Sequence, residues 1–501
     1  SSGGVTDREI IQAVQDGSLE EAVLDRAVER ILRISFLYLD NKREQPFTLE
    51  ADHDFARRLA EQSMVLLKNE EVLPLGEKEK VAFIGGFAKT PRFQGGGSSH
   101  INSFRVSSAL EAVSHMAKAS ENVTYAEGFS VEQDVYDEAL AAEAIEAARR
   151  ADKAVVFAGL PESFESESYD RSHMRLPDCQ NRLIAEIIKV QPNTVVVLHN
   201  GSPVEMPWLS DVKGLMEAYL GGQAVGEAEV NLLYGKVNPS GKLAETIPCR
   251  LADNPSYLTF GDSEKTVYSE GVFVGYRYYD AREMQVAFPF GYGLSYTTFA
   301  YSNLRLDRQE ITDQETLTVS VDITNTGNVA GKEVVQLYIR DNTRACRRPD
   351  KELKGYEKVT LEPGETKTVT MMLDYRSFAW YNTDLKDWYA ASGKYDVMVG
   401  TSSRQICLSA SVQINSSIRL PLKLDLNTTL AELSTDDRTV KYGEYLKNKS
   451  YAFFGQYGGD EALSGDVKYA LVDSMPMRTL VSFGICTKEE VLDVLKKLME
   501  L

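Results

Sequence analysis

Four textures of apolar and polar residues succeed one another along the chain. Between Asp7 and about Phe36, Leu19, Ala22, Val23, Ala27, Val28, Ile31, Leu32 and Ile34 recur at three- and four-residue steps, which predicts a helix pair. Ser18, ahead of Glu20 and Glu21, is the expected cap of the second helix. From about Phe55 to Tyr296, apolar runs of strand length at residues 81–84, 154–158, 194–198 and 214–219 alternate with helical patterns at 109–117, 139–151, 181–190 and 226–233. Continuous apolar strands separated by helices imply a largely parallel sheet covered on both faces.

From about Thr298 to Ile414 the period drops to two. Leu317, Val319, Val321 and Ile323 alternate with Thr318, Ser320, Asp322 and Thr324. Asn325-Thr326-Gly327-Asn328 and Glu362-Pro363-Gly364-Glu365 supply turns. Some seven short strands of this kind suit an antiparallel β-sandwich. The tail, residues 415–501, ends in an apolar stripe of Val491, Leu492, Val494, Leu495 and Leu498. It predicts an amphipathic helix docked on the protein's own surface, with the aromatic, glycine-punctuated stretch 451–457 beneath it.

Composition narrows the function classes. The 501 residues carry 55 Lys+Arg against 74 Asp+Glu, a formal charge of -19. So acidic a chain is poorly suited to nucleic acid or an anionic membrane and better suited to a neutral ligand. Cys179, Cys249, Cys346, Cys407 and Cys486 are scattered and odd in number, which argues against a disulfide framework or structural zinc. Five dispersed histidines offer no metal-ligand spacing, and no cofactor is indicated. There is no apolar run of about 18 residues. Ser1-Ser2-Gly3-Gly4 resembles neither a signal peptide nor a natural start, so a bacterial-type cytoplasmic location is expected and the glycosylation-like motifs at Asn122, Asn415, Asn427 and Asn448 read as chance.

The chemistry concentrates in Glu165-Ser166-Glu167-Ser168-Tyr169-Asp170-Arg171, which follows the apolar run 154–158. A carboxylate cluster on a loop at the carboxyl end of a strand is where α/β proteins place reactive groups, although an acidic run by itself is usually a solvated loop. With Leu176-Pro177 behind it, the stretch resembles the acid/base loop of family 3 glycoside hydrolases, the β-glucosidase group. In that family the Glu two residues before Tyr-Asp-Arg is the general acid/base, which here is Glu167; Glu165 is its competitor on the same loop. Ser168 stands where the family usually has Gly. Tyr169, Asp170 and Arg171 are expected to hold the loop, Arg171 by pairing with Asp170 or a neighbouring acid.

Further resemblance is spread in family order across the second region: Val65-Leu66-Leu67-Lys68-Asn69, Gln94-Gly95-Gly96-Gly97-Ser98-Ser99, Asn238-Pro239-Ser240-Gly241, the Glu270 to Tyr278 run and the Phe288 to Tyr296 run. The glycine triplet is wrongly spaced for a dinucleotide fingerprint but allows close backbone approach. In the family a Ser after these glycines touches the sugar in the −1 pocket, which places Ser98, with Ser99 close behind, as substrate-binding residues; His100 reads as a loop histidine. Trp208 reads as core or interface, and Tyr276, Tyr278, Tyr279, Phe288, Phe290 and Tyr292 as packing rather than an aglycone site.

The resemblance implies four parts: 1–45, the last helices of a (β/α)8 barrel and a linker; 46–297, the family's α/β sandwich domain; 298–414, a fibronectin type III-like domain; and 415–501, a partly helical tail. It further implies hydrolysis of terminal β-linked glucosyl residues by retaining double displacement. Glu167 would be the acid/base, and the nucleophilic Asp would come from a barrel, or a barrel-bearing polypeptide, beyond this chain. Expected partners are a β-glucoside or oligosaccharide, with no nucleic acid and no membrane, and assembly as a homo-oligomer stays open. The rivals are a non-catalytic carbohydrate-binding or scaffold protein, a β-xylosidase of the same family, and a nucleotide-dependent α/β enzyme.

Overall fold

A computed structural model describes residues 3–43, 46–261, 264–457 and 465–499. The chain forms two compact units: Ser1–Asp307 with Thr318–Met372 and Asp396–Ser411, and Arg308–Leu317 with Leu373–Tyr395 and Val412–Leu501.

The first unit opens with α1 (Asp7–Gln15) and α2 (Glu21–Asn41). The predicted pair forms, but neither helix buries a residue: Ile31 is 69% exposed, Ile34 67% and Phe36 59%. Ser18 does not cap α2. Its hydroxyl turns back to the Ala13 carbonyl at 3.3 Å, and Glu20 occupies the N-cap without a side-chain bond.

Six strands then form one sheet: β1 (Val65–Asn69), β2 (Val81–Ile84), β3 (Val123–Ala126), β4 (Lys153–Gly159), β5 (Thr194–His199) and β6 (Gly214–Glu217), in the order β1-β6-β5-β4-β2-β3. Five run parallel, and β1 closes one edge antiparallel to β6. The strand β1 and the half-buried edge strand β3 were not among those the apolar runs predicted. Apart from Lys153 at the start of β4, the interior strands are buried throughout, because helices cover both faces. Helix α5 (Glu138–Arg150) shows why such a segment folds: the Asp137 carboxylate accepts from the Ala139 and Leu140 amides at 2.8 and 3.0 Å, Ala141, Ala144 and Ala148 form the buried stripe, and Arg149 and Arg150 sit at the negative end of the dipole. It packs with α6 (Asp178–Val190), while α7 (Val225–Leu233) packs with α3 (Leu49–Ser63) and α4 (Ala109–Ser114).

The order of the sheet decides what meets at its carboxyl edge. β4 lies between β2 and β5. The loop after β4, which carries Glu165 and Glu167, is therefore flanked by the loop after β2 on one side and the loop after β5 on the other.

In the all-β part, strand Leu317–Asn325 alternates buried and half-buried positions as its period-two pattern predicts, and its residues Val319–Asn325 pair antiparallel with strand Phe299–Leu306. Strand Gly331–Asp341 pairs antiparallel with Glu352–Leu361. In the second unit, Trp380–Asn382 and Asp387–Tyr389 form a hairpin.

The tail is a small helical cluster rather than one docking helix. Helices Leu430–Leu433, Val440–Tyr457, Met477–Ser482 and Lys488–Met499 contribute Leu430, Leu433, Leu446, Met477, Leu480, Val491 and Leu498 to a common buried core. Tyr451, Phe453 and Phe454 pack against that core, whereas Leu492, predicted in the apolar stripe, is 44% exposed.

Candidate active site

Strand β4 ends at Gly159, and the chain turns at once. The Leu160 amide donates to the His199 carbonyl at 3.0 Å, and the Phe164 and Glu165 amides close a turn on the Pro161 carbonyl at 2.9 and 3.2 Å. The two candidate acids lie just beyond, in different environments.

Glu165 points inward. Its Oε2 accepts from Arg92 Nη1 at 2.6 Å and from the Gly201 amide at 2.8 Å, and its Oε1 accepts from the Ser202 hydroxyl. Arg92 is itself buried, and also donates to the Leu160 carbonyl at 2.9 Å and the Glu165 carbonyl at 2.8 Å. Burial pushes the Glu165 pKa up, but the Ser202, Gly201 and Arg92 donors outweigh it and leave the group below its ordinary value.

Glu167 points outward. It is exposed, and its Oε2 accepts from the Ser98 backbone N–H at 2.7 Å and from the Ser98 hydroxyl. These two donors hold its pKa below the ordinary 4.5. Its own amide reaches the Gly96 carbonyl at 3.4 Å.

The glycines make this approach feasible. A Cβ on Gly97, where φ is +90°, would stand 2.7 Å from Glu167 Cβ and 2.8 Å from Oε2. A Cβ on Gly96 would stand 2.6 Å from Ser166 Oγ. Close backbone approach is the use to which the triplet is put.

The expected site residues are thus placed unequally. Ser98 meets Glu167, whereas the Ser99 hydroxyl turns back to the Gly96 carbonyl at 3.5 Å. His100 pairs with Glu162 at 2.7 Å, and the Tyr169 hydroxyl donates to the Glu162 carbonyl, so both brace the loop's start. Arg171 does not pair with Asp170 or a neighbouring acid. It donates to the Ser202 hydroxyl at 2.8 Å and to the Pro203 carbonyl at 3.1 Å, because the loop after β5 lies closer to it than any carboxylate. Ser168 takes a left-handed φ of +81°, the conformation a glycine would hold without strain.

Trp208 is core, buried and donating from Nε1 to Asn181 at 3.0 Å. Tyr276 stacks on Phe290 with ring centroids 4.6 Å apart, consistent with packing. Tyr279 helps line a cavity of about 740 Å³ beside the loop, together with Asp170, Arg171, His173 and Glu245. Burial pushes Glu245 up to about 7 there.

Several groups escaped the sequence reading. Arg92 sits in Pro91-Arg92-Phe93, which has no signal except its nearness to the glycine triplet. Glu217, at the end of β6, is buried and pushed up to about 8; it accepts from the Tyr219 amide and from Asn200. His199 and Glu229 face each other in the core at 3.1 Å with neither side chain exposed. Desolvation drives His199 down to about 4 and Glu229 well up, each toward its uncharged form. Among the described residues, no group of three or more His, Cys, Asp or Glu side chains is arranged to hold a metal, and no helix is long and apolar enough to cross a membrane.

Residues 64–296 match the glycosyl hydrolase family 3 C-terminal domain, and residues 333–403 match the fibronectin type III-like domain. The chain is 49% identical over 488 residues to the thermostable beta-glucosidase B of Acetivibrio thermocellus, covering 97% of this chain and 64% of that protein. It is 40% identical over 426 residues to an exo-alpha-(1->6)-L-arabinopyranosidase of Bifidobacterium breve, covering 82% of this chain and 55% of that one. Among solved structures, a Bifidobacterium adolescentis GH3 beta-glucosidase superposes with a TM-score of 0.80 at 39% identity, covering 88% of this chain and 64% of that one. The chain thus spans less than two thirds of the length of these relatives. Its α/β domain with a mainly parallel sheet, its fibronectin type III-like β-sandwich and these kinships agree: the chain belongs to family 3 of the glycoside hydrolases.

Proposed function

We propose that this chain supplies the acid/base half of a retaining β-glucosidase site, with Glu167 as the proton-transfer group. The observation that carries the proposal is the contrast between two acids on one loop. Glu165 has its carboxylate filled by donors from three residues, whereas Glu167 is exposed and held only by Ser98. Only a group open to the substrate can take its proton from, and return it to, a reacting oxygen.

The chemistry needs a second carboxylate about 5–5.5 Å from the first in the retaining mode. In this reading that nucleophile comes from a barrel, either on a second polypeptide or in a part of the protein beyond residues 1–501. The exposed apolar residues of α2, Ile31, Ile34 and Phe36 among them, offer a surface suited to such a neighbour. In the first step the nucleophile's negative charge raises the Glu167 pKa, opposing the Ser98 donors, so that the carboxyl is protonated beside the leaving oxygen. Once the nucleophile is esterified that charge is gone. The Ser98 donors then favour the carboxylate, the form that takes a proton from the attacking water.

Relatives named for a beta-glucosidase and for an exo-alpha-(1->6)-L-arabinopyranosidase both align with this chain. A terminal glucosyl residue follows from the closer of these two relatives, and a pentoside such as a β-xyloside is the alternative substrate. The decisive experiment is Glu167→Gln in the active enzyme, assayed on a dinitrophenyl and an alkyl β-glucoside with and without azide. Loss on the alkyl glycoside, with azide restoring turnover of the dinitrophenyl one as the glycosyl azide, supports the reading. Unchanged turnover of both glycosides, or sugar binding with no hydrolysis in the unsubstituted protein, rejects it.

A further inference from the structure

Glu165 and Arg92 have no place in proton transfer, yet the fold invests heavily in them. Arg92 is 5% exposed at its side chain and Glu165 17%. Two buried or half-buried ions in contact are costly to desolvate unless geometry and additional hydrogen bonds compensate. Here they do. The Arg92 guanidinium reaches the Leu160 carbonyl, where the loop leaves β4, and both the carboxylate and the carbonyl of Glu165, where the turn ends. The Glu165 carboxylate in turn gathers the Gly201 amide and the Ser202 hydroxyl from the loop after β5. Ser202 accepts from Arg171 at 2.8 Å while donating to Glu165, so a second guanidinium acts on the same carboxylate through one hydroxyl.

The loops after β2, β4 and β5 are thereby joined at a single carboxylate. Two residues further on stands Glu167, and two residues beyond Arg92 begins the run Gln94-Gly95-Gly96-Gly97-Ser98 that holds it. Both partners of the Glu167–Ser98 contact thus leave from the same ion pair.

We infer that Arg92 and Glu165 are positioning residues: their ion pair fixes the loop after β4 against the loop after β2, and so sets where the Glu167 carboxyl stands relative to the leaving oxygen. The inference rests on Glu167 being the acid/base. It assigns Glu165 an orienting role, not the proton-transfer role for which it is the sequence competitor. A clamp of this kind acts on the step that needs the acid. In the first step, which kcat/KM reports, substrates whose leaving group departs without a proton are indifferent to where Glu167 stands; poor leaving groups are not.

The test compares Glu165→Gln, Arg92→Lys and Ser202→Ala in the active enzyme, with Glu167→Gln alongside. Each is assayed for kcat/KM on dinitrophenyl and alkyl β-glucosides across pH, with and without azide, and for secondary structure by circular dichroism. A displacement of about 1 Å at a catalytic group costs on the order of a hundredfold. Glu165→Gln is therefore expected to lower kcat/KM on the alkyl glycoside by roughly tenfold to a hundredfold, to move the alkaline limb of its pH profile, and to leave the dinitrophenyl glycoside nearly unchanged. Azide should accelerate it far less than it accelerates Glu167→Gln, whose carboxylate is gone. Arg92→Lys keeps the charge but loses the fork, and should show the same leaving-group dependence at smaller size.

Ser202→Ala removes one donor and no charge. It supplies the same readout if the other two variants do not fold. Parental leaving-group dependence and pH profile in all the folded variants would overturn the inference. Azide acceleration of Glu165→Gln but not of Glu167→Gln would also overturn it, by making Glu165 itself the proton donor. If instead Glu167→Gln behaves as the parent, the reading beneath the inference fails, and both fall together by a distinguishable result.

Discussion

Replacing Gly97 by Ala tests the site where the glycine triplet faces Glu167. The new Cβ would stand 2.7 Å from Glu167 Cβ and 2.8 Å from its Oε2. Carbon pairs are comfortable at about 3.5–4.0 Å, so one side must withdraw by roughly 1 Å. Gly97 lies at φ +90°, where an L-residue is strained by about 1–2 kcal/mol, so the backbone is under pressure to move as well. Glu167 is exposed and gives way more readily than the ion-paired residues behind it. A displacement of about 1 Å at a catalytic group costs about a hundredfold, or about 3 kcal/mol of barrier.

Gly95→Ala is the matched control. Its Cβ meets only the Ser99 hydroxyl, at 2.9 Å, on an exposed side chain that can rotate away, and its φ lies outside the left-handed region. The assay is kcat/KM on an alkyl β-glucoside for both variants, with thermal melts to separate strain from catalysis. Gly97→Ala should lose about two orders of magnitude with only a modest fall in melting temperature, and Gly95→Ala should stay within a few-fold of the parent. The reasoning fails if Gly97→Ala stays within about threefold, under 1 kcal/mol of barrier. It also fails if Gly95→Ala loses as much.

Ser98→Ala removes the hydroxyl donor that holds Glu167 down and keeps the backbone donor, so the Glu167 pKa should rise and the alkaline limb of the kcat/KM profile should move to higher pH; a limb that stays put or moves down contradicts that origin of the shift. Glu217, pushed up to about 8 by burial, holds its proton more tightly folded than unfolded, so its contribution to stability is full below the ordinary 4.5 and is lost as pH rises to about 8. Urea melts should lose up to about 1.4 kcal/mol per pH unit from this group across that window. Glu217→Gln, which removes the titrating group and keeps an acceptor for Asn200 Nδ2, should flatten that slope, and an unchanged slope would place the titration elsewhere. Ser168→Gly relieves a left-handed φ of +81° and should raise stability by up to about 1 kcal/mol in the same melts; a lower melting temperature would show that Ser168 is not strained.

The parallel sheet was legible in the sequence because its strands are apolar without interruption, and a run such as Thr194-Val195-Val196-Val197-Leu198 has few other uses. The candidacy of Glu167 rests on the order of the residues around it; composition alone cannot separate it from Glu162, Glu165 or Asp170. Three things were not legible. Arg92 has no periodicity or spacing to mark it, since its meaning lies in a contact with Glu165, 73 residues away. Glu217 and Glu229 lie in apolar stretches where pattern alone cannot say that burial raises a carboxylate's pKa. In α2 the helical period was right, yet it describes one face of a helix and not what covers that face.

The partners of the two acids follow from strand order once it is known. A parallel sheet delivers every loop after a strand to the same edge, so reactive groups collect there whatever their distance in sequence. Which loops touch is then set by adjacency. β4 has β2 and β5 as its neighbours, and the carboxylates after β4 take their donors from the loops after those two strands: Arg92 and Ser98 on one side, Gly201 and Ser202 on the other. Glu165 reaches both flanks and ties them together, with three of its roughly four acceptor positions already taken. Glu167 reaches one flank only. That leaves its outer side free, as the proposed function requires: a carboxyl acting first as acid and then as base needs one open side for the sugar oxygen and for the water that follows it.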